Sequence, residues 1–320
     1  MSDVNLGIIG SSHIVLEHIK AFKAQGVNIS CIAASKNSRT ALNLSKEINN
    51  CKYYESSELL IKGNNYDALL VAPAIEPTSN ILKIALVNNE NIPILVEKPL
   101  SLNSGEIKNF IKNENILVGY NRRFYKSVTL LKDKIHKDKS YFVNVINPET
   151  IFSTKNTLSK EYVYALRSNT VHVIDLLRYL FSDLEINFMS NKNEHQGKNI
   201  IISNDKVNIN FTLLWNSPMN TSIDVFYNQS RYELKPIEKF TFYDEMEIIE
   251  PNEDIHIRRY IPKPKDEHFI NPGEFKPGFY DQAKAFKDFV LTNKIDNKFA
   301  KIEDAFFAQK LANEMSESYE

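Results

Sequence analysis

Short apolar strands alternate with segments of helical period over the first 120 residues or so, and nothing else constrains this chain as strongly. The candidate strands are "NLGII" (5–9), "NISCIAA" (28–34), "KYY" (52–54), "ALLVA" (68–72), "IPILV" (92–96) and "NILVG" (115–119). Between them, "IVLEHIKAFKAQG", "SRTALNLSKEI", "SELLIK", "SNILKIALVNN" and "SGEIKNFIKN" carry apolar residues three and four apart, the period of a helix with one buried face. Strands joined by such crossovers pack as a parallel sheet with helices on both faces. Sheets of this doubly wound kind bind ligands beyond the carboxyl ends of their strands, near the switch point beside the first strand.

After about residue 125 the texture changes. A charged helix "YKSVTLLKDKIHKDK" leads into a strand "YFVNVIN", a stretch rich in Ser, Thr and Asn, and an amphipathic helix "VHVIDLLRYLF" (171–181). Alternating runs follow: "LEINFMS", "NIIISN", "KVNINFTLLW", "TSIDVFYN", "SRYELKP" and "KFTFYDEMEIIE". Successive alternation predicts a mainly antiparallel, open sheet with one face covered by helices. The segment 261–277, with Pro262, Pro264, Pro272 and Pro277, is predicted to be a long loop, and helices over 278–293 and 302–318 close the chain. The expected fold is therefore α/β: a Rossmann domain over 1–121 and a second α+β domain over 122–320. A chain of 320 residues with 42% hydrophobic content can build both cores.

Charge excludes several partners. With 39 basic and 40 acidic residues, the chain has no electrostatic footprint for nucleic acid or an anionic membrane surface. No apolar run approaches the roughly 18 residues of a membrane span. Cys31 and Cys51 have neither metal-knuckle spacing nor the density of a disulfide scaffold, which suits a reducing cytoplasm. The seven histidines are scattered without paired spacing, so no metal is expected.

The first strand runs into "GSSHIV" (10–15). A dinucleotide turn normally uses one glycine to turn, a second to admit the pyrophosphate and a third to pack helix on strand. Here Gly10 is the first, Ser12 stands at the second position and Val15 at the third. A helix starting near Ser12 still offers free N–H groups, and the Ser11 and Ser12 hydroxyls can donate to phosphate. Gly10, Ser11, Ser12, His13 and Ile14 are the candidate phosphate contacts; the alternative is a plain strand-to-helix turn. The second strand ends in Ser35, with Lys36 and Arg39 just beyond, where an NAD site places a carboxylate for the ribose. A hydroxyl and two cations suit a 2′-phosphate, so NADP(H) is favoured over NAD(H), unless the two cations merely solvate a surface loop.

The fifth strand ends in "LVEKPLS" (95–101), which aims a lysine into the crevice. Together with the glycine turn, "YDALLVAPAIEPTSNILKIAL", "ILVGYNRRF", "HVIDLLRYL" and "PGFYDQAKAFKDFV", this stretch resembles the Gfo/Idh/MocA oxidoreductases, the glucose–fructose oxidoreductase and inositol dehydrogenase family. The likeness spans nearly the whole chain and its most specific element is the EKP turn. It implies NAD(P)-linked hydride transfer on a sugar, nucleotide-linked sugar or related polar metabolite. It also implies a second domain whose open sheet serves oligomerisation, hence a homodimer.

By that resemblance Lys98 and His172 carry the proton chemistry, and Glu97 and Lys98 line the cofactor. Asp175, Arg122, Tyr120 and Tyr280 become substrate contacts. Asn121 joins Ala72 and Pro73, at the end of the fourth strand, as cofactor contacts. The family's aspartate four residues before the histidine is Ser168 here, and its Thr-Pro followed by a histidine is replaced by Pro73, Ala74 and Thr78. A site short of one carboxylate suggests slower alcohol oxidation, or reduction of a carbonyl or imine, where an acid matters more than a base. Trp215 reads as sheet packing. The competing readings are a relative that binds cofactor or ligand in a regulatory role and, within the enzyme class, elimination or hydrolysis at a glycosidic bond through transient oxidation. Substrate choice is expected to lie in loops such as 148–170 and 261–277.

Overall fold

The computed structural model describes residues 4–151, 158–190, 196–269 and 273–319. Parts of both expected specificity loops, 152–157 and 270–272 with Pro272, lie outside them.

In chain order the first sheet and its helices are β1 (Asn5–Ile9), α1 (His13–Ala24), β2 (Asn28–Ala33), α2 (Arg39–Glu47), β3 (Lys52–Tyr53), α3 (Ser57–Gly63), β4 (Ala68–Val71), α4 (Ile75–Asn88), β5 (Ile94–Val96), α5 (Ser104–Ile107) and β6 (Ile116–Val118). The chain continues with α6 (Lys126–Lys134), β7 (Tyr141–Glu149), α7 (Leu158–Ala165), α8 (Val171–Phe181), β8 (Glu185–Met189), β9 (Gly197–Ser203), β10 (Val207–Trp215), β11 (Ser222–Tyr227), β12 (Ser230–Leu234), β13 (Lys239–Ile249) and β14 (Arg259–Phe269). It closes with α9 (Phe279–Thr292), β15 (Ala300–Lys301) and α10 (Ile302–Ser316).

The first sheet has the order β15-β6-β5-β4-β1-β2-β3. Strands β1 to β6 are parallel, and β1 pairs with both β2 and β4. The strand order reverses there, which makes the ends of β1 and β4 the switch point. Strands β4, β5 and β6 are buried at every position, as sheets covered on both faces require. Local chemistry fixes the helix starts. Ser38 accepts a hydrogen bond from the Ala41 N–H and Ser56 from the Leu59 N–H, each satisfying a donor that the first turn leaves open. Asn64 ends α3 in the left-handed region at φ 46°. The edge strand β15 is absent from the expected pattern, because its two residues, paired antiparallel with Leu117 and Val118, are too short for any period.

The second sheet runs β14-β13-β12-β11-β7-β10-β9-β8 and is antiparallel except for the central β7/β10 pair. The predicted loop over 261–277 is corrected here: residues 259–269 form β14. Pro262 and Pro264 mislead the sequence reading because they sit on an edge strand, where a missing N–H costs no ladder bond. Charged pairs Lys263–Glu245, Lys265–Asp244 and Lys239–Glu267 hold this strand to β13, and charges on an edge discourage pairing with a stray chain.

By contacts the chain divides into two units that are not a single cut in sequence. The first comprises 1–124, 166–176 and 272–317; the second comprises 125–165, 177–271 and 318–320. The core of the first unit joins Leu6, Ile8, Val15, Phe22, Leu70 and Leu95 to Phe279, Phe286 and Phe289 of α9. Helices from the end of the chain therefore complete the N-terminal sheet.

Candidate active site

The turn after β1 is shaped by backbone packing. Gly10 adopts φ +135°, and a Cβ there would lie 2.1 Å from the Ala72 carbonyl oxygen, so only glycine lets the chain pass the end of β4. The Gly10 N–H reaches the Ala33 oxygen at 2.8 Å, closing β1 onto β2. Ser12 occupies the N-cap of α1 without using its side chain as a cap, and the first turn carries no acidic residue. Ser11 is half-buried and Ser12 exposed. Val15 is fully buried in the core, so the third glycine position has become a packing position. The His13 ring is 87% exposed and faces Glu17 at 3.9 Å, away from the turn, while Ile14 is half-buried. This concave turn with unsatisfied N–H groups and two free hydroxyls fits a pyrophosphate.

Ser35, Lys36 and Arg39 lie exposed beyond β2, with Asn37 in the left-handed region between them and its N–H bonded to the Glu55 oxygen at 2.9 Å. Among the described residues, no carboxylate is paired with Lys36 or Arg39. Ala72 is buried directly beneath Gly10 and Pro73 is half-buried beside it.

The carboxyl end of β5 is different in construction. Glu97, expected at the cofactor, accepts from the buried His18 of α1 at 2.6 Å and from the Lys98 N–H at 3.1 Å. Its carboxylate thus binds α1 to β5. Gly119 makes room, since a Cβ there would meet Glu97 Oε1 at 3.1 Å. Lys98 Nζ donates to the Ser168 carbonyl oxygen at 3.1 Å. Ser168 belongs to the π-helical turn Leu166–Thr170, which feeds directly into α8; such turns recur at functional sites. Four residues on, His172 meets the edge of the buried Tyr120 ring at 5.7 Å. Lys98, Ser168, His172 and Tyr120 are thereby brought together from three separate segments.

Asp175, expected as a substrate contact, is buried and receives Arg123 Nη2 at 2.5 Å and Nε at 2.8 Å, because a desolvated carboxylate requires such a partner. Arg123 also reaches Asp304 at 3.4 Å, at the start of α10. Tyr280, also expected as a substrate contact, lies against Phe275 in a tilted ring pair at 5.0 Å, and its main-chain carbonyl accepts from Gln25. Asn121, a candidate cofactor contact, is buried and donates its amide to the Pro277 oxygen at 2.9 Å. Arg122, one residue further, is half-buried and its Nη1 is buried with no partner.

Residues 4–115 match the family model described as "Oxidoreductase family, NAD-binding Rossmann fold", the Gfo/Idh/MocA model. The match covers the first sheet and its crossover helices, about a third of the chain. A search of curated protein sequences returns no match. Solved structures show the fold along the chain. A UDP-N-acetylglucosamine 3-dehydrogenase from Acidithiobacillus ferrooxidans has a TM-score of 0.74 at 12% identity, covering 99% of this chain and 98% of its own. A myo-inositol dehydrogenase from Corynebacterium glutamicum scores 0.70 at 14% identity, over 99% and 96%. A dehydrogenase from Clostridium difficile scores 0.71 at 17% identity, over 99% and 100%.

The charges around this cluster are unevenly distributed. Burial first, then the positive charges of Lys98, Arg122 and Lys276, hold the His172 imidazole well below its ordinary value. His172 is therefore neutral near pH 7, and its buried Nδ1 has no partner. Burial, reinforced by Asp175 and Glu97 against Arg123, keeps the Tyr120 hydroxyl protonated well past its usual range. Ser168 Oγ is also buried and unbonded. Ser168 meets Lys98 through its main-chain carbonyl, not its hydroxyl.

Sequence reasoning missed Arg123, Ser168 as a lysine partner, and Gln282. Gln282 lies one turn after Phe279 on α9, buried with both amide atoms unbonded; Phe279 packs on His18 at 4.7 Å. Glutamine in a helical run gives no signal of function on its own. Among the described residues no group of three His, Cys, Asp or Glu could hold a metal, and no helix is long and apolar enough to cross a membrane. A cavity of 780 Å³ in the second unit, lined by residues such as Lys132, Tyr141, Glu185 and Lys206, shares no residue with this cluster.

Proposed function

We propose that this protein is an NADP(H)-preferring oxidoreductase that transfers hydride between the nicotinamide and a carbinol or carbonyl carbon of a sugar, nucleotide-linked sugar or related polar metabolite. The observation that carries the reading is the convergence of Lys98 Nζ, Ser168 and His172 at the carboxyl end of β5, in the domain whose glycine turn fits a pyrophosphate. Gly10, Ser11 and Ser12 would hold the pyrophosphate, with Ser35, Lys36 and Arg39 at the 2′-phosphate.

When bound, the nicotinamide supplies the hydride acceptor or donor. The side chains manage the accompanying proton. The Lys98 ammonium, which donates to the Ser168 carbonyl oxygen, would stabilise charge that develops on the reacting oxygen. Neutral His172 is suited to accept the proton as an alcohol is oxidised.

Titration of the purified protein with NADPH and NADH, followed by nicotinamide fluorescence, tests the reading. Tighter binding of NADPH, reduced in a Lys36→Ala/Arg39→Ala double variant, is expected. Binding of neither nucleotide removes the oxidoreductase reading, and NADH-selective binding removes the assignment of Ser35, Lys36 and Arg39. Ser168 favours the second reading, a regulatory relative that binds cofactor or ligand without turnover. Cofactor binding with no hydride transfer to any sugar, sugar acid or nucleotide sugar would support that one.

A further inference from the structure

Around His172 the charges do not balance. Lys98, Arg122 and Lys276 all act on its ring as cations. The two carboxylates whose charge is felt at the neighbouring Tyr120 are already engaged, Glu97 by His18 and Asp175 by Arg123. Arg122 is held firmly in place. Tyr120 before it packs on His172, Arg123 after it is bonded to Asp175 on α8, and Asn121 between them donates to the Pro277 oxygen. That last bond brings the segment holding Lys276 to the 120–124 turn, and the Lys276 charge is felt at His172, as is that of Arg122. Yet Arg122 Nη1 is buried with no hydrogen-bond partner, as are Ser168 Oγ and His172 Nδ1. A buried guanidinium N–H left unpaired is expensive, because it has lost water without gaining an acceptor. A buried cationic donor with no acceptor, on a side chain whose charge His172 feels together with those of Lys98 and Lys276, describes a place that an anion completes.

We infer that the substrate carries an anionic oxygen group, a carboxylate or a phosphate, which seats on the Arg122 guanidinium. The protein then acts on an acidic sugar derivative or hydroxy acid in preference to a neutral polyol. This rests on the oxidoreductase reading above and gives it a substrate class. Guanidinium is the group of choice for such oxyanions, since its planar N–H pairs match them. A bound anion also offsets the cations that suppress His172, so substrate binding itself raises the basicity of the imidazole where the proton is to be received.

The test measures binding by calorimetry, with and without saturating NADPH, for three probes: D-glucuronate, D-glucose 6-phosphate and myo-inositol. At least one of the two anionic probes is expected to bind about tenfold or more tightly than myo-inositol, and which one does so separates carboxylate from phosphate. Arg122→Gln should remove that advantage while NADPH fluorescence titration is unchanged, and Arg122→Lys should restore part of it. Imidazole NMR provides a readout independent of turnover. The preferred anion should shift the His172 titration upward in the native protein and leave it unmoved in Arg122→Gln. Equal binding of myo-inositol, equal losses for neutral and anionic probes in Arg122→Gln, or no binding of either anion to NADPH-loaded protein would each overturn the proposal. Arg122-dependent binding of an anion by a protein that binds no nucleotide would instead sink the oxidoreductase reading and leave the anion site standing.

Discussion

The two ends of the candidate site, at β1 and at β5, are built on opposite principles. At the β1 turn the working groups are main-chain N–H donors, and the one side-chain requirement is the absence of a Cβ at Gly10. Ser12 and Val15 depart from the usual glycines without closing that turn, one being exposed and the other absorbed by the core. At the β5 end each contact uses at least one side chain, and they come from β5, the 120–124 turn, the π-helical turn before α8, and the segment before α9. A departure from a motif matters less where main-chain groups are the donors than where a side chain is, as at Ser168, whose buried Oγ has no partner.

Substitutions can break this comparison or sharpen it. The largest effect is expected at the β5 end: Lys98→Met should lower hydride transfer by about two to four orders of magnitude, with NADPH affinity nearly unchanged in a fluorescence titration. An equal loss of cofactor binding would blur the distinction between the two ends. Next comes the scaffold beneath it. Asp175→Asn leaves Arg123 buried without its counter-charge and should cost about 3–5 kcal/mol in urea unfolding; a loss under about 1 kcal/mol would return Asp175 to the role of a substrate contact. Gly10→Ala forces a side chain into a left-handed backbone against Ala72. It should cost about 1–3 kcal/mol and abolish nucleotide binding, whereas Ser12→Gly should tighten that binding modestly.

The smallest effect is a pH dependence. His172 is depressed in the folded protein, so the unfolded chain takes up a proton first as pH falls through the ordinary histidine range near 6.5. Stability should therefore fall with decreasing pH below about 6.5, with a slope of at most about 1.4 kcal/mol per pH unit, until the folded-state value is reached. His172→Gln should flatten that slope in unfolding curves recorded between pH 7 and 5. An unchanged slope would show that the ring is not shielded. Burial likewise pushes the Cys31 thiol up to about 11 and Cys51 to about 12, so both should alkylate more slowly than a free thiol at pH 8.

Much of this was legible in the chain itself. Hydrophobic period alone delivered β1 to β6 and their crossovers, because strands buried on both faces read as continuous apolar runs. The glycine turn and the EKP turn were legible for a related reason: a special backbone position or a fixed strand end allows few residue types. What sequence could not assign was which polar side chain meets which. "GYNRRF" presents two adjacent arginines, and only the tertiary structure shows that Arg123 is consumed by Asp175 while Arg122 is left with an unbonded Nη1. The same holds for Glu97, tied up by a histidine 79 residues earlier, and for Tyr280, turned onto Phe275. Periodicity reports the burial of a face, a local property of neighbouring residues. Pairing of charges depends on distances between segments far apart in the chain, and those are set only when the cores close.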